Sequence, residues 1–254
     1  MIGERVIELD NIDSTNAYAS QVFRSAEFED GTVVWAHNQY AGRGQHDHSW
    51  ISESGKNLTC TICLHPRFLP PDRQFQLNKA IALGAVDFLR HYLYIPESGQ
   101  TNPEISIKWP NDLYAGNQKI GGILIENSIM GAILETSLAG IGVNINQTRF
   151  APDIPNPVSF IHILRHETML KDALLSLCRF LDHRYSVLKQ TDTDVYDLEF
   201  DQNLLGFGQW RTFSSGGELL EGKIRGVDLA GRLKVENREG KTLLFYHKEI
   251  EYIL

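Results

Sequence analysis

Between Ile105 and Asn144 the chain moves from one strand-forming run to the next with only turns between them. Residues 105–107 read as a strand that enters the polar stretch Lys108-Trp109-Pro110-Asn111-Asp112. Residues 113–115 and 118–126 flank Gly116-Asn117, the signature of a hairpin. Residues 133–138 and 140–144 supply further strand. A doubly wound sheet needs a helix between successive parallel strands, so this order predicts a largely antiparallel or mixed sheet instead.

The flanking segments fit around that sheet. Residues 6–9, 32–36 and 58–64 read as strands. Asp13 or Ser14 is positioned to cap a helix whose apolar face carries Ala17, Tyr18, Val22 and Phe23. Pro70-Pro71-Asp72 opens a second helix, with Phe75, Leu77, Ile81, Ala82, Ala85, Phe88 and Leu89 at helical spacing to about His91. Pro152, Pro155 and Pro157 mark a surface crossing. Helices are then expected over 160–166, 169–188 and 195–205, the second with Leu174, Leu177, Cys178, Phe180 and Leu181 inward. After Gly206 the period changes. Short runs at 210–213, 219–227, 233–236, 242–246 and 250–254, separated by glycine turns, predict a small β-barrel. The expected domains are 1–205 and 206–254.

Composition narrows the function classes. Twenty-four Lys and Arg against 32 Asp and Glu leave a net charge of −8, against a general nucleic-acid binder with its basic stripe. No apolar run is long enough to span a bilayer, and the first residues lack the pattern of a signal peptide. Three cysteines do not make a disulfide framework, so a reducing cytoplasm is expected. Cys60 and Cys63 form a C-x-x-C on a predicted strand. Their odd spacing sends the thiols to opposite faces, against a zinc or redox pair.

Four polar clusters interrupt the apolar pattern: Asp13-Ser14-Thr15-Asn16; Gln39 with Gly42-Arg43-Gly44; Lys108 to Asp112 with Lys119-Ile120-Gly121-Gly122; and Gly140-Ile141-Gly142-Val143-Asn144. Singly, each has a plain structural reading as a helix cap, a turn or a close crossing. Together they supply neutral, directional groups for a small polar head group and two cations, Arg43 and Lys119, for a carboxylate and a phosphate. Asp112 is a candidate to help hold magnesium on a triphosphate, because that ion takes few protein carboxylates; no set of protein metal ligands can be named. Residues 217–223 have P-loop spacing, but Ile224 stands where Ser or Thr is needed and a strand follows. Gly42-Arg43-Gly44 lacks the third glycine and helix of a dinucleotide motif. His46 and His48 read as polar loop residues. The loop over 42–50 is expected to be disordered without ligand.

These residues, in this order, resemble the biotin–protein ligases: Asp-Ser-Thr-Asn at 13–16, Ala-Gly-Arg-Gly at 41–44 then Ser49-Trp50, Gly-Lys-Asn-Leu at 55–58, Lys-Trp-Pro-Asn-Asp-Leu-Tyr at 108–114, Lys-Ile-Gly-Gly-Ile-Leu-Ile-Glu at 119–126 and Gly-Ile-Gly-Val-Asn-Ile-Asn at 140–146. The resemblance implies an α+β fold: a mixed sheet with flanking helices of the class II aminoacyl-tRNA synthetase-like, biotin–lipoate ligase type, followed by an SH3-like barrel. It implies two steps, from biotin and MgATP to biotinyl-5′-adenylate and pyrophosphate, then transfer to a lysine of a biotin carboxyl carrier domain. Ser14, Thr15, Asn16 and Gln39 match biotin contacts. Gly42, Arg43, Gly44 and Gln45 match the loop over biotin and the adenylate, and Trp50 the aromatic that orders it around the nucleotide. Lys119 matches the lysine at the α-phosphate. Asn111, Asp112 and Asn144 line the nucleotide and lysine-entry side, with Asp112 a candidate to orient the attacking amine, bind magnesium or anchor Lys119.

Two departures stand out. Gln45 and His48 occupy positions that are arginine in the family's more basic loops, which predicts looser retention of the adenylate. The biotin motif begins at Ser14, where many bacterial members first carry a DNA-binding unit, so a ligase without a DNA-binding role is expected. Exposed strand edges in the first domain offer a surface for a homodimer. The alternatives are a lipoate or octanoate ligase or transferase of the same fold, or a non-catalytic carrier-binding protein.

Overall fold

The computed structural model describes residues 1–23, 28–45, 49–95, 102–152, 154–191 and 194–253. Seven strands form one mixed sheet in the order β1-β2-β3-β7-β6-β5-β4. They are β1 (Val6–Ile12), β2 (Thr32–Gln39), β3 (Leu58–Leu64), β4 (Ile105–Lys108), β5 (Asp112–Ala115), β6 (Gln118–Met130) and β7 (Ile133–Val143). Only β1 and β2 run parallel; the other pairs are antiparallel. That one parallel pair is joined through helix α1 (Thr15–Phe23), as a parallel connection requires. The runs 133–138 and 140–144 are one continuous strand, because Ala139 pairs in register with both neighbours.

The period of two divides the sheet's two faces. Cys60, Ile62, Leu64, Ile141 and Ile123 point to the main core, under α2 (Phe75–Tyr92) and α4 (Leu170–Gln190). These helices meet at Gly84, where an added Cβ would stand 2.9 Å from Leu181 Cδ2. The opposite face is shared. Val34, Cys63 and Leu138 pack with Ala19 of α1 in a small second cluster; beyond them the face carries Thr59, Thr61, Gly140, Gly142 and Gly122 and stays open. The two cysteines of the C-x-x-C therefore lie in different clusters. Burial pushes the Cys60 thiol well up and that of Cys63 to about 12, so both stay protonated near neutrality.

The C-terminal segment forms a five-stranded antiparallel sheet, β11-β10-β9-β8-β12, from β8 (Trp210–Ser215), β9 (Glu218–Val227), β10 (Leu233–Asn237), β11 (Thr242–Phe245) and β12 (Glu251–Tyr252). Residues 217–223 lie at the β8–β9 turn and along β9, which removes them as a phosphate loop. The small sheet is tied to the rest of the chain at several points. Trp109 Nε1 donates to the Gly231 carbonyl at 3.0 Å, and the Val227 N–H donates to Asp201 Oδ1 at 2.9 Å. Helix α3 is short (Phe160–Leu164), and α5 (Asp197–Gln202) is shorter than expected. Its Asp197 accepts from Lys79 Nζ at 2.7 Å.

The Lys79 side chain is only 1% exposed and lies over the Phe75 and Phe200 rings. Removing Asp197 would leave a buried ammonium with the two rings and the more distant Asp201 carboxylate around it. A fully buried pair broken this way costs about 3–5 kcal/mol; Asp197 is itself 39% exposed, so about 1–2 kcal/mol is expected after water replaces part of the contact. Asp197→Ala should lower the denaturation midpoint accordingly, while Asp197→Ala with Lys79→Met recovers most of it. A midpoint unchanged in the single variant counts against the pair as a stabilising contact.

Candidate functional site

The open half of the sheet face is the floor of a cavity of about 570 Å³. One row of paired residues crosses it, Thr59, Gly142, Gly122 and Asp112 on β3, β7, β6 and β5, and Lys108 on β4 continues the row beyond the cavity. A second row is Thr61, Gly140 and Leu124. Glycine at the centre lets other groups lie on the backbone itself. The Trp50 indole does so at Gly142, where a Cβ would be 2.5 Å from its Cε2. The Asn16 carboxamide does so at Gly140, with Oδ1 2.5 Å from the position a Cβ would take.

One end of the cavity is neutral and polar. Ser14 stands immediately before α1 and Thr15 and Asn16 begin it; the Thr15 N–H donates to Gln39 Oε1 at 2.7 Å. Asn16 is held on both sides: Nδ2 donates to Glu126 Oε2 at 2.8 Å and Oδ1 accepts from Thr61 Oγ1 at 2.5 Å. The other end is charged. Lys119 Nζ meets Asp112 Oδ1 at 2.7 Å. Strict alternation from Gly122 and Leu124 would put Lys119 on the opposite face. A register shift between Leu113 and Tyr114 corrects this: Ile120 is the extra residue, turned into the core, and Lys119 is re-aimed to the cavity side. β-Bulges commonly do this beside functional sites. The Lys119 backbone is pinned by Asn156 and Val158, and Asn144 Nδ2 holds the Val158 carbonyl at 3.0 Å. Asn111 is fixed through its Nδ2 on the Ile123 carbonyl, 2.6 Å. Beside them Lys108 lies over the Tyr114 and Tyr252 rings; burial lowers its pKa and Asp112 partly offsets that.

The roof is the loop after β2. Gly42 does not line the cavity; its carbonyl accepts the Trp50 N–H at 2.9 Å, and Arg43 pairs with Ser49, closing the base of the loop. Its tip, with His46 and His48, lies outside the described residues, and so does the central part of the expected ligand-free disorder. Arg43, Gly44, Gln45 and Trp50 all face the cavity. Arg43 is 57% exposed and among the described residues pairs with the Glu126 carboxylate at 4.0 Å, a contact too long and too wet to hold it strongly. Among the described residues, Trp50 Nε1 and Gln45 Oε1 are buried atoms with no hydrogen-bond partner. A buried donor and a buried acceptor left open in one cavity are what a polar ligand would complete.

Every candidate residue named from sequence except Gly42 thus lines one cavity, and Arg43 and Lys119 share it although 75 residues separate them along the chain. Over residues 8–144 the sequence matches the biotin/lipoate A/B protein ligase family. The chain belongs to that family. Among relatives, it is 26% identical over 256 residues to the bifunctional ligase/repressor BirA of Bacillus spizizenii, covering 99% of this chain and 75% of that protein. It is 32% identical over 133 residues to the biotin–[acetyl-CoA-carboxylase] ligase of Paracoccus denitrificans, about half of each chain. Its fold matches the biotin protein ligase of Aquifex aeolicus in complex with biotin and ATP, at a TM-score of 0.78 and 23% identity over 98% of this chain and all of that one. That fold includes the five-stranded C-terminal sheet, in keeping with a small SH3-like unit.

Residues that the sequence reading missed now stand out. Thr61 and Glu126 fix Asn16, and Glu126 could have been found: it follows Gly122 and Leu124 at period two, on the same face. Phe150, Ile154, Pro155 and Pro157 close one wall; their proline-rich segment looks like plain surface crossing in the sequence. Among the described residues, no group of three or more His, Cys, Asp or Glu comes together to hold a metal.

Proposed function

We propose that this chain is an ATP-dependent ligase that activates biotin as biotinyl-5′-adenylate and transfers it to a lysine of a carboxyl-carrier domain. The observation that carries the reading is the polarity of one cavity, neutral hydrogen-bonding groups at one end and the Lys119–Asp112 pair at the other, under a loop bearing Arg43. The neutral end suits a ureido ring, which presents N–H and C=O groups without charge. Arg43 and Lys119 offset the repulsion between the biotin carboxylate and the α-phosphate. The carboxylate attacks α-phosphorus and pyrophosphate leaves; the carrier amine then attacks the acyl carbon and AMP leaves.

Residues 1–205 are taken to carry this chemistry and 206–254 to form the small domain. The magnesium ion would accompany the triphosphate and shield its charge; Asp112, with one oxygen on Lys119 and a second remaining, is the lining carboxylate suited to hold it. A cytoplasmic setting fits three free, buried cysteines and the absence of any described helix long and apolar enough to cross a membrane. The net charge of −8 supports a ligase without a DNA-binding role.

The direct test supplies ATP with biotin, lipoate or octanoate and detects the adenylate. Biotinyl adenylate alone supports the reading; lipoyl or octanoyl adenylate replaces it with the lipoate alternative, and no adenylate with any acid leaves a carrier-binding protein. On the same reading, Gln45→Arg should slow release of free biotinyl adenylate two- to fivefold, since a half-exposed charge contact contributes about 0.5–1 kcal/mol. A release rate equal to wild type would show that the loop's charge does not govern retention.

A further inference from the structure

From the C-terminal segment, His247 lines the cavity, and Tyr252 covers Lys108 just beyond it. Lys108 stands directly opposite Asp112 in the β4–β5 ladder. Their chain neighbours Ile107 and Leu113 turn into the core. Both charged side chains therefore stand on the open face, with Cβ atoms about 4.5–5.5 Å apart, as in any directly opposed pair. Lys108 Nζ lies 5.7 Å from the centre of the Tyr114 ring on β5 and 5.5 Å from that of Tyr252 on β12. Tyr252 is anchored in turn. It pairs with Phe213 in the β8–β12 ladder, and the two rings meet edge to face at 5.3 Å; Phe213 is fully buried. The ammonium is thus held between rings from both sheets, a cation–π contact with each. Burial works against its charge, and of the groups around it Asp112 and Glu251 favour that charge while Lys119 opposes it.

We infer that Lys108 is a positioning residue of the biotin-activating site: a second cation beside Asp112, held there by Tyr252 of the small sheet, that frees the Lys119 ammonium to turn to the nucleotide phosphate. This rests on the function proposed above. Lys119 and Asp112, 2.7 Å apart, form by themselves a neutral pair that draws an anion only weakly. Lys108 makes the cluster net positive. It also keeps Asp112 compensated when Lys119 turns to phosphate; without it, that turn leaves a partly buried carboxylate unpaired beside an incoming anion. The small sheet then contributes to the reaction without touching a substrate, because Tyr252 fixes the cation and the cation sets the charge balance.

The test measures ATP and biotin affinity by calorimetry on the full chain, with thermal melts to establish that each variant folds. Lys108→Met should weaken ATP binding by about five- to tenfold, while biotin affinity, set at the neutral end, stays within about twofold. Lys108→Arg keeps the charge and the ring contacts and should restore ATP binding to within about twofold of wild type. Tyr252→Leu should weaken ATP binding by about two- to threefold and Tyr252→Phe should not. In the Lys108→Met background Tyr252→Leu should add nothing, since a residue that acts through another is silent once that other is gone. Added salt should shrink the Lys108→Met deficit, which a packing defect would not show. ATP binding equal to wild type in Lys108→Met overturns the inference. So does a deficit that arginine fails to restore, or a Tyr252→Leu effect of equal size in both backgrounds. Should the methionine variant not fold, Lys108→Gln replaces it under the same criteria. If wild type makes no biotinyl adenylate, the proposed function fails, and the ATP affinities still decide the role of Lys108.

Discussion

Replacing Lys119 by glutamine should slow biotinyl-adenylate formation by about 10²- to 10³-fold while leaving the chain folded. Lys119 and Asp112 are both partly open to water, at 27% and 26% exposure, and glutamine can still hydrogen-bond Asp112, so the fold should survive the change. The value of Lys119 lies in the transition state. As the carboxylate closes on α-phosphorus, negative charge accumulates on the phosphoryl oxygens, and an ammonium already in place stabilises that charge more than it stabilises the separated reactants. Removing one such preorganised group typically costs about 3–4 kcal/mol of barrier. Biotin-dependent exchange of pyrophosphate into ATP reads the step without any carrier; a fall of less than fivefold would mean that Lys119 is not the group at the α-phosphate. Asp112→Asn belongs in the same experiment. If Asp112 acts by anchoring Lys119 through the 2.7 Å contact, the double variant should be no slower than Lys119→Gln alone, because two residues acting as one unit are not additive. If Asp112 instead takes the proton of the carrier amine, Asp112→Asn should form adenylate normally and fail in transfer.

The same pair shows where sequence reasoning stops. Lys119 and Asp112 were both legible as site residues, through the company they keep in the chain. Their contact was not. It depends on the extra residue Ile120, and nothing in Tyr114 to Gly122 announces a bulge; the period of two, applied strictly, sends Lys119 to the wrong face. The order of strands was equally hidden, since β3 pairs with β7 across some seventy intervening residues. Elements themselves were easy where composition and spacing act locally: the helix over Phe75–Tyr92, the hairpin at Gly116-Asn117, and the opposed cysteines of β3. His247 lay beyond reach. It is one histidine among nine, and only the packing of the small sheet against Trp109 brings it to the cavity.

The glycine floor leads to the second large expected effect, because two of its glycines differ sharply in what surrounds them. At Gly122 an added Cβ would meet Asp112 Oδ1 at 3.5 Å and the Trp50 ring at 3.7 Å, ordinary contact distances. At Gly140 it would meet Asn16 Oδ1 at 2.5 Å and Cγ at 3.1 Å. Asn16 has nowhere to go: its carboxamide is held by Thr61, Glu126 and the Leu124 carbonyl, and its backbone is in the first turn of α1. A methyl at Gly140 must therefore expel the carboxamide and leave buried partners unmatched. Overpacking of this kind costs about 1–3 kcal/mol of stability, and each hydrogen bond to ligand that Asn16 can no longer make adds about 1 kcal/mol to the lost affinity. Gly140→Ala should lower biotin affinity by about ten- to a hundredfold with a depressed melting temperature, whereas Gly122→Ala should leave the melting temperature within about a degree of wild type, as a surface-like change of a few tenths of a kcal/mol would. Calorimetric titration with biotin and thermal melts of both variants read the two effects side by side. Equal biotin affinity in Gly140→Ala and wild type would show that Asn16 does not touch biotin, and the neutral end of the cavity would then need another occupant.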